Sequence, residues 1–191
     1  MVDNRLDIAV VCGSFRKASY NGALARSLPP LAPPGLRLEP APPIDRFPLY
    51  NLDIQNAYGF PADVTAFADA IRSAHGVIIV SPEYNWSIPA GLKNAIDWTS
   101  RFKDDPFKGK PVALQSCAGG LLGGSRMQYH LRQCLTAVES VIMIRPEVFV
   151  TFAAKKFDEK TLELIDQPTR DMVKLQLDNF EKFVRRLTGK K

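Results

Sequence analysis

The sequence predicts a doubly wound α/β fold: a five-stranded parallel sheet with helices on both faces. Three observations carry that prediction. Short apolar runs alternate along the chain with amphipathic helical patterns. The runs around Val10, Ile79 and Leu114 are continuous rather than alternating, as strands covered on both faces require. No composition break or internal repeat divides the 191 residues, a length that suits a single domain over 1–191 with a core large enough to need no disulfide or metal staple.

The elements follow in order. Leu6 to Cys12 is the first strand, and Gly13-Ser14-Phe15-Arg16-Lys17-Ala18-Ser19-Tyr20-Asn21-Gly22 directly after it opens a helix. Leu36 to Glu39 is the second strand. The connection from Ile44 to Phe60, rich in Pro and aromatic residues, reads as a flap or as part of a subunit contact. From Pro61, Val64, Phe67, Ala68 and Ile71 recur at i, i+3, i+4 and i+7, and a strand from Val77 to Ser81 follows. Leu92, Ala95, Ile96 and Thr99 repeat that spacing after Pro89, with Ser87 and Pro89 as N-cap and early-turn residues and Lys93 and Asp97 as an outer i,i+4 pair. Val112 to Ser116 is the fourth strand, Met127, Leu131, Cys134, Leu135 and Val138 mark the next helix, and Val141 to Ile144 is the fifth strand. The last helix carries Val173, Leu177, Phe180, Val184 and Leu187 on one stripe.

Composition excludes several function classes. Apolar residues are 46% and charged residues 24%, ordinary for a globular chain. No stretch approaches the roughly 20 apolar residues that span a bilayer, and the polar start lacks a basic segment before an apolar one, so a cytoplasmic protein without a membrane partner is expected. Cys12, Cys117 and Cys134 are odd in number and contain no C-x-x-C pair, which predicts packed, reduced thiols. His75 at a helix-to-strand junction and His130 within a helix read as structural or surface residues, and no metal is expected. The net charge of +5 has an excess at the C-terminal end, where the basic residues form the solvated face of an amphipathic helix; nucleic-acid binding is not expected, and the charge suits anionic cofactors and substrates.

Right-handed crossovers bring the loops after strands one, three and four to one sheet edge, where ligands of such folds bind. The first loop has a phosphate-binding character: Ser14, Ser19 and Asn21 can donate, Arg16 adds a charge-assisted fork, and Gly13 permits a sharp turn before a helix N-terminus. It contains neither G-x-x-x-x-G-K-[ST] nor G-x-G-x-x-G, which speaks against NTPase and dinucleotide loops. The same residue types also suit a plain polar turn and N-cap. The second loop, Pro82 to Ser87, sets Tyr84 and Trp86 beside Glu83 and Asn85, as a site flanking a flat ring would, or as a structured turn with core aromatics. The third, Cys117 to Arg126, offers mostly backbone; its glycines let N–H groups approach the carbonyl-rich edge of a ring, or serve as a hinge. Together the loops describe a mononucleotide with a large planar base.

The residues that spell these loops resemble the NADPH-dependent FMN reductase family of flavodoxin-like proteins, especially its quinone, chromate and azo-compound reductase branch. The resemblance covers nearly the whole chain. It rests on G-S-x-R-x-x-S-x-N at Gly13, Ser14, Arg16, Ser19 and Asn21, on the long and specific P-E-Y-N-x-S-x-P-x-x-L-K-N-A-I-D-W block from Pro82 to Trp98, and on G-G-x-R from Gly123 to Arg126. It implies that Ser14, Arg16, Ser19 and Asn21 hold the FMN phosphate, that Pro82, Glu83, Tyr84 and Asn85 border the isoalloxazine, and that Ser116, Cys117, Ala118 and Gly119 face its pyrimidine side. Two departures stand out: Trp86 where relatives often carry tyrosine, and Cys117 and Ala118 in a loop often richer in hydroxyls.

The resemblance further implies ping-pong hydride transfer from NADPH or NADH through FMN to quinones, with azo compounds and chromate as further acceptors and no catalytic side chain. The alternatives are a flavodoxin-type FMN electron carrier, against which the basic composition and Arg16 weigh, and a regulatory or interaction protein that kept the fold and lost the flavin. A homodimer or homotetramer is expected, with Arg126, Tyr129 and Glu147 as a polar network at the subunit boundary. Arg16, Lys17 and Arg101 are candidate contacts to a 2′-phosphate.

Overall fold

Apolar runs with no polar alternation fold as parallel strands when helices cover both of their faces. The computed structural model describes residues 4–190. In it β1 (Leu6–Cys12), β2 (Leu36–Pro40), β3 (Gly76–Ser81), β4 (Pro111–Cys117) and β5 (Val141–Ile142) form a parallel sheet in the order β2-β1-β3-β4-β5. This is the flavodoxin-like doubly wound order expected from the sequence.

Side chains alternate across the strands, so one sequence serves two cores. Leu6, Ile8 and Val10 of β1, with Ile78 and Val80 of β3, pack against α1 (Tyr20–Ser27) and α6 (Gln167–Thr188), where Leu24, Val173, Leu177, Phe180 and Val184 are buried. Ala9, Val11, Val77 and Ile79 face α3 (Ala62–Ser73), α4 (Ala90–Thr99) and α5 (Ser125–Ala137), with Phe67, Trp98 and Leu131 at the centre. Leu187, predicted on the buried stripe of the last helix, is instead 43% exposed near its end. The Ile44–Phe60 connection contains a short helix, α2 (Leu52–Tyr58), and is fastened to α4. Trp98 Nε1 and Asn94 Nδ2 donate to the Pro48 carbonyl at 2.7 and 2.9 Å, and the Tyr50 N–H donates to Asn94 Oδ1 at 2.8 Å. His75, at the predicted junction, takes a structural role: its Nδ1 accepts the Asp7 N–H at 2.9 Å.

The fifth strand departs from the prediction. Val141 to Ile144 was expected as one strand, but β5 ends at Ile142 and a separate β6 (Val148–Val150) pairs with the upper part of β4. Pro146 stands in the gap, without an N–H for the ladder and restricting the residue before it. Two glutamines fill the missing hydrogen bonds. Gln176 of α6 donates through Nε2 to the carbonyls of Leu114 (3.1 Å) and Pro146 (2.7 Å), and its Oε1 accepts from Gln115 Nε2 at 2.9 Å. From the other face, Gln128 Nε2 of α5 donates to Val148 O at 2.9 Å and to Ser116 Oγ at 2.8 Å. Each lies at 2% exposure or less, so each bond offsets the desolvation of a buried carbonyl.

Gln176→Leu is expected to lower the unfolding free energy by about 2 to 4 kcal/mol, because it strands two carbonyls and the Gln115 amide in the core. Urea denaturation of the two proteins measures it, with an unchanged m-value.

Candidate functional site

The carboxyl ends of β1, β3 and β4 carry the three loops that the sequence singled out. At the end of β1 the Gly13 N–H still donates to Val80 O at 2.9 Å, after which the chain leaves the sheet. A Cβ on Gly13 would stand 2.5 Å from Ser81 Oγ and 2.9 Å from Ser81 Cβ, so only glycine lets the loop lie this close to β3. The backbone N–H groups of residues 14–18 have no acceptor among the described residues, and neither does the Arg16 guanidinium. Ser19 is the N-cap of α1, its Oγ accepting the Gly22 N–H at 3.3 Å.

Asn21, predicted as a free phosphate donor, has another task. Its side chain is buried and pairs with the backbone of Cys117 as a neighbouring strand would: Nδ2 donates to Cys117 O at 2.9 Å and Oδ1 accepts the Cys117 N–H at 3.0 Å. One N–H of the carboxamide remains for a ligand. The first and third loops are thereby locked together across β3.

The second loop is a two-residue hairpin. Tyr84 and Ser87 exchange backbone hydrogen bonds of 3.0 and 2.9 Å, and the central residues Asn85 and Trp86 have φ of 48° and 65°, the signs of a type I′ turn. Asn tolerates this conformation; for Trp it costs about 1 kcal/mol. The Arg126 guanidinium lies 4.4 Å from the Trp86 ring centroid, and that cation–π contact offsets part of the cost. Glu83 accepts the Met127 N–H of α5 at 3.2 Å and stands 3.8 Å from Arg126, so its carboxylate occupies the positive end of α5. Ser87 does not cap α4, whose N-cap is Pro89; its hydroxyl is hydrogen-bonded to His130 Nδ1 at 3.0 Å.

The third loop turns on two glycines at positive φ. Gly124, at 88°, would place a Cβ 2.7 Å from Ser116 Cβ, and Gly123, at 56°, would place one 2.8 Å from the Phe149 carbonyl carbon. The close approach lets Ser116 Oγ donate to Gly123 O at 2.6 Å. Gly119 and Gly120 face open space, and their N–H groups have no acceptor among the described residues.

These loops enclose one cavity of about 390 Å³, lined by Ser14, Arg16, Ser19, Asn21, Pro82, Glu83, Tyr84, Cys117, Ala118 and Gly119. Two predicted residues stand outside it: Asn85 at the hairpin tip, and Ser116, fully buried and engaged with Gly123 and Gln128. Tyr20 lines it as well, its ring 5.4 Å from that of Phe157; the Ser19-Tyr20-Asn21 sequence offered no signal that a residue at the first position of α1 would face this cavity. Trp86 is 66% exposed and does not line the cavity. Burial pushes the Cys117 thiol up to about 12, so it is no nucleophile. Glu147, expected near Arg126, is paired within the chain to Arg132 at 3.3 Å, while Arg126 neighbours Glu83. Among the described residues no cluster of His, Cys, Asp or Glu is arranged to hold a metal, and no helix is long and apolar enough to cross a membrane. The cavity thus brings the Arg16 cation and the unpaired N–H groups of Ser14 and Arg16 together with the unpaired N–H of Gly119, and Tyr84 also lines it.

The chain is similar to proteins of known family. The family model described as NADPH-dependent FMN reductase matches residues 6–155. The quinone reductase of Escherichia coli strain K12 is 46% identical over 186 residues, covering 97% of this chain and 99% of its own. An NAD(P)H-dependent FMN reductase of Pseudomonas aeruginosa is 41% identical over 179 residues, 94% and 95% of the two chains. Among solved structures, the flavoenzyme NAD(P)H:(acceptor) oxidoreductase FerB of Paracoccus denitrificans superposes with a TM-score of 0.85 at 31% identity, over 95% of this chain and 98% of that one.

Replacing Asn21 by leucine removes both bonds to Cys117 and is expected to cost about 2 to 3 kcal/mol in thermal or urea unfolding. Asn21→Asp is expected to be destabilised most at neutral pH and to recover as the pH falls, because only the protonated carboxyl can donate to Cys117 O.

Proposed function

Since the chain belongs to the NADPH-dependent FMN reductase family, we propose that it is an FMN-dependent NAD(P)H oxidoreductase that delivers electrons to quinone-like acceptors. The observation that carries this reading is one cavity that takes in both Ser14 and Arg16, from a loop whose N–H groups at residues 14–18 have no acceptor among the described residues, and Gly119, whose N–H likewise has none. That donor set fits FMN: anion donors with Arg16 for the phosphate, backbone N–H groups for the carbonyl edge of the ring, and no bulky side chain where the ring would lie against the third loop.

In this reading Ser14, Arg16 and Ser19 hold the phosphate, and Asn21 contributes its remaining N–H while fixing the distance between the first and third loops. Pro82, Glu83 and Tyr84 border the ring, with Asn85 shaping the turn that presents Tyr84. Ala118, Gly119 and the Cys117 backbone line its pyrimidine side. FMN, when bound, supplies the hydride and electron-transfer chemistry, so no protein side chain need act as acid or base. The exposed mouth beside Tyr84 (47% exposed) admits the nicotinamide donor and then the acceptor in turn, a ping-pong order, and its openness suits azo compounds and chromate as well as quinones. Trp86, Leu121, Tyr129 and Phe152 are large exposed apolar side chains and form the proposed contact of a homodimer or homotetramer.

Anaerobic stopped-flow mixing with NADPH and with NADH is expected to bleach the flavin bands of the FMN-loaded protein, and a quinone in a second mix is expected to restore them. If neither coenzyme bleaches the flavin, the reading fails. Arg16→Ala is expected to weaken FMN about 10- to 100-fold, read by quenching of flavin fluorescence.

A further inference from the structure

On the far side of the phosphate loop lies a second, larger cavity of about 690 Å³, a volume typical of small-molecule sites. Its floor is apolar, built from the carboxyl ends of β1 and β2 with Val10, Leu38 and Pro40, and Ile44 of the following connection closes one wall. Arg16, Lys17 and Arg26 stand around it against a lone acid, Asp45. None of the three cations has an ion pair or hydrogen bond among the described residues, although most other arginines of the chain are paired. Arg26 is laid along α1 over Gly22, where a Cβ would come 3.3 Å from its Nη1. Ser14 and Arg16 line both cavities, so the two spaces meet at the phosphate loop.

We propose that this second cavity receives the 2′-phosphoadenosine end of NADPH, with Lys17 and Arg26 on the 2′-phosphate and the adenine against the apolar floor. The assignment rests on reading the chain as an NAD(P)H oxidoreductase. A nicotinamide placed over the ring end of the first cavity leaves the rest of the dinucleotide to run back along the phosphate loop, and the shared wall at Arg16 is where that path enters the second cavity. Two phosphates would then lie on either side of one loop, and the surplus of cations offsets their repulsion. Arg101, the other cation suggested by sequence, stands at the far end of α4, where its Nε donates to Asp97 O at 3.3 Å and its guanidinium packs on Tyr50. It takes no part.

Isothermal titration of the FMN-loaded protein with adenosine 2′,5′-bisphosphate and with 5′-AMP tests the proposal without turnover. The bisphosphate is expected to bind about ten-fold or more tightly than 5′-AMP. Lys17→Ala with Arg26→Ala should abolish that difference, Arg26→Lys should keep most of it, and Ala25→Trp, which fills the cavity from α1, should weaken both nucleotides. Retained flavin absorbance shows that each variant is folded. Absence of binding, equal binding of the two nucleotides, or unchanged affinities in the folded variants would overturn the site. Failure of the reductase reading would look different: the bisphosphate would still bind while NADPH left the flavin oxidised.

Discussion

The carboxamide of Asn21 makes two hydrogen bonds to the main chain of Cys117, with both residues buried. A parallel sheet ends with its backbone groups unpaired at the carboxyl edge, and any ligand site there must be assembled from loops that have no ladder to hold them. Asn21 extends the ladder by one side chain. It ties the start of α1 to the end of β4 across β3, so the first and third loops, which both line the cavity, are held at a set separation. Removing either bond frees a buried polar group, and the geometry of the whole edge goes with it.

Close backbone approach provides the rest of the definition. Gly13 against Ser81, Gly124 against Ser116 and Gly123 against Phe149 leave no room for a Cβ, and each contact turns a loop back toward the sheet. Glu83 then closes the circle by accepting an N–H from the first turn of α5, which links the second loop to the helix that follows the third. Tyr84 is presented by a tight turn that keeps Trp86 in a costly conformation, and Arg126 holds that ring from outside. The buried glutamines do comparable work below the edge: Gln176 and Gln128 reach from opposite layers into the break between β5 and β6, so the sheet tolerates an interrupted last strand beneath the third loop. The phosphate loop, walled by a cavity on each side, gives Arg16 two environments at once.

The parallel doubly wound sheet, its two helical layers and the three loops at its carboxyl edge were legible in the sequence, because continuous apolar runs, helical spacing and glycine-rich turns are local signals. Membership of the flavin reductase family was legible too, from the spelling of those loops. What local spelling left open was which polar side chains meet ligand and which meet the chain. Asn21 read as a donor to a ligand and Ser116 as facing one, yet Ser116 is buried beneath Gly123 and Asn21 is mostly spent on Cys117, 96 residues away. Tyr20 in the cavity, Ser87 on His130, Glu147 on Arg132 and the split of the fifth strand likewise depend on partners distant in sequence. The sequence by itself determined the fold and the chemical character of the site, since periodicity and motif are properties of neighbouring residues. Only the tertiary structure decided how the hydrogen-bonding capacity of each polar group is divided, because burial leaves every such group to find its partner in whatever part of the chain packs against it.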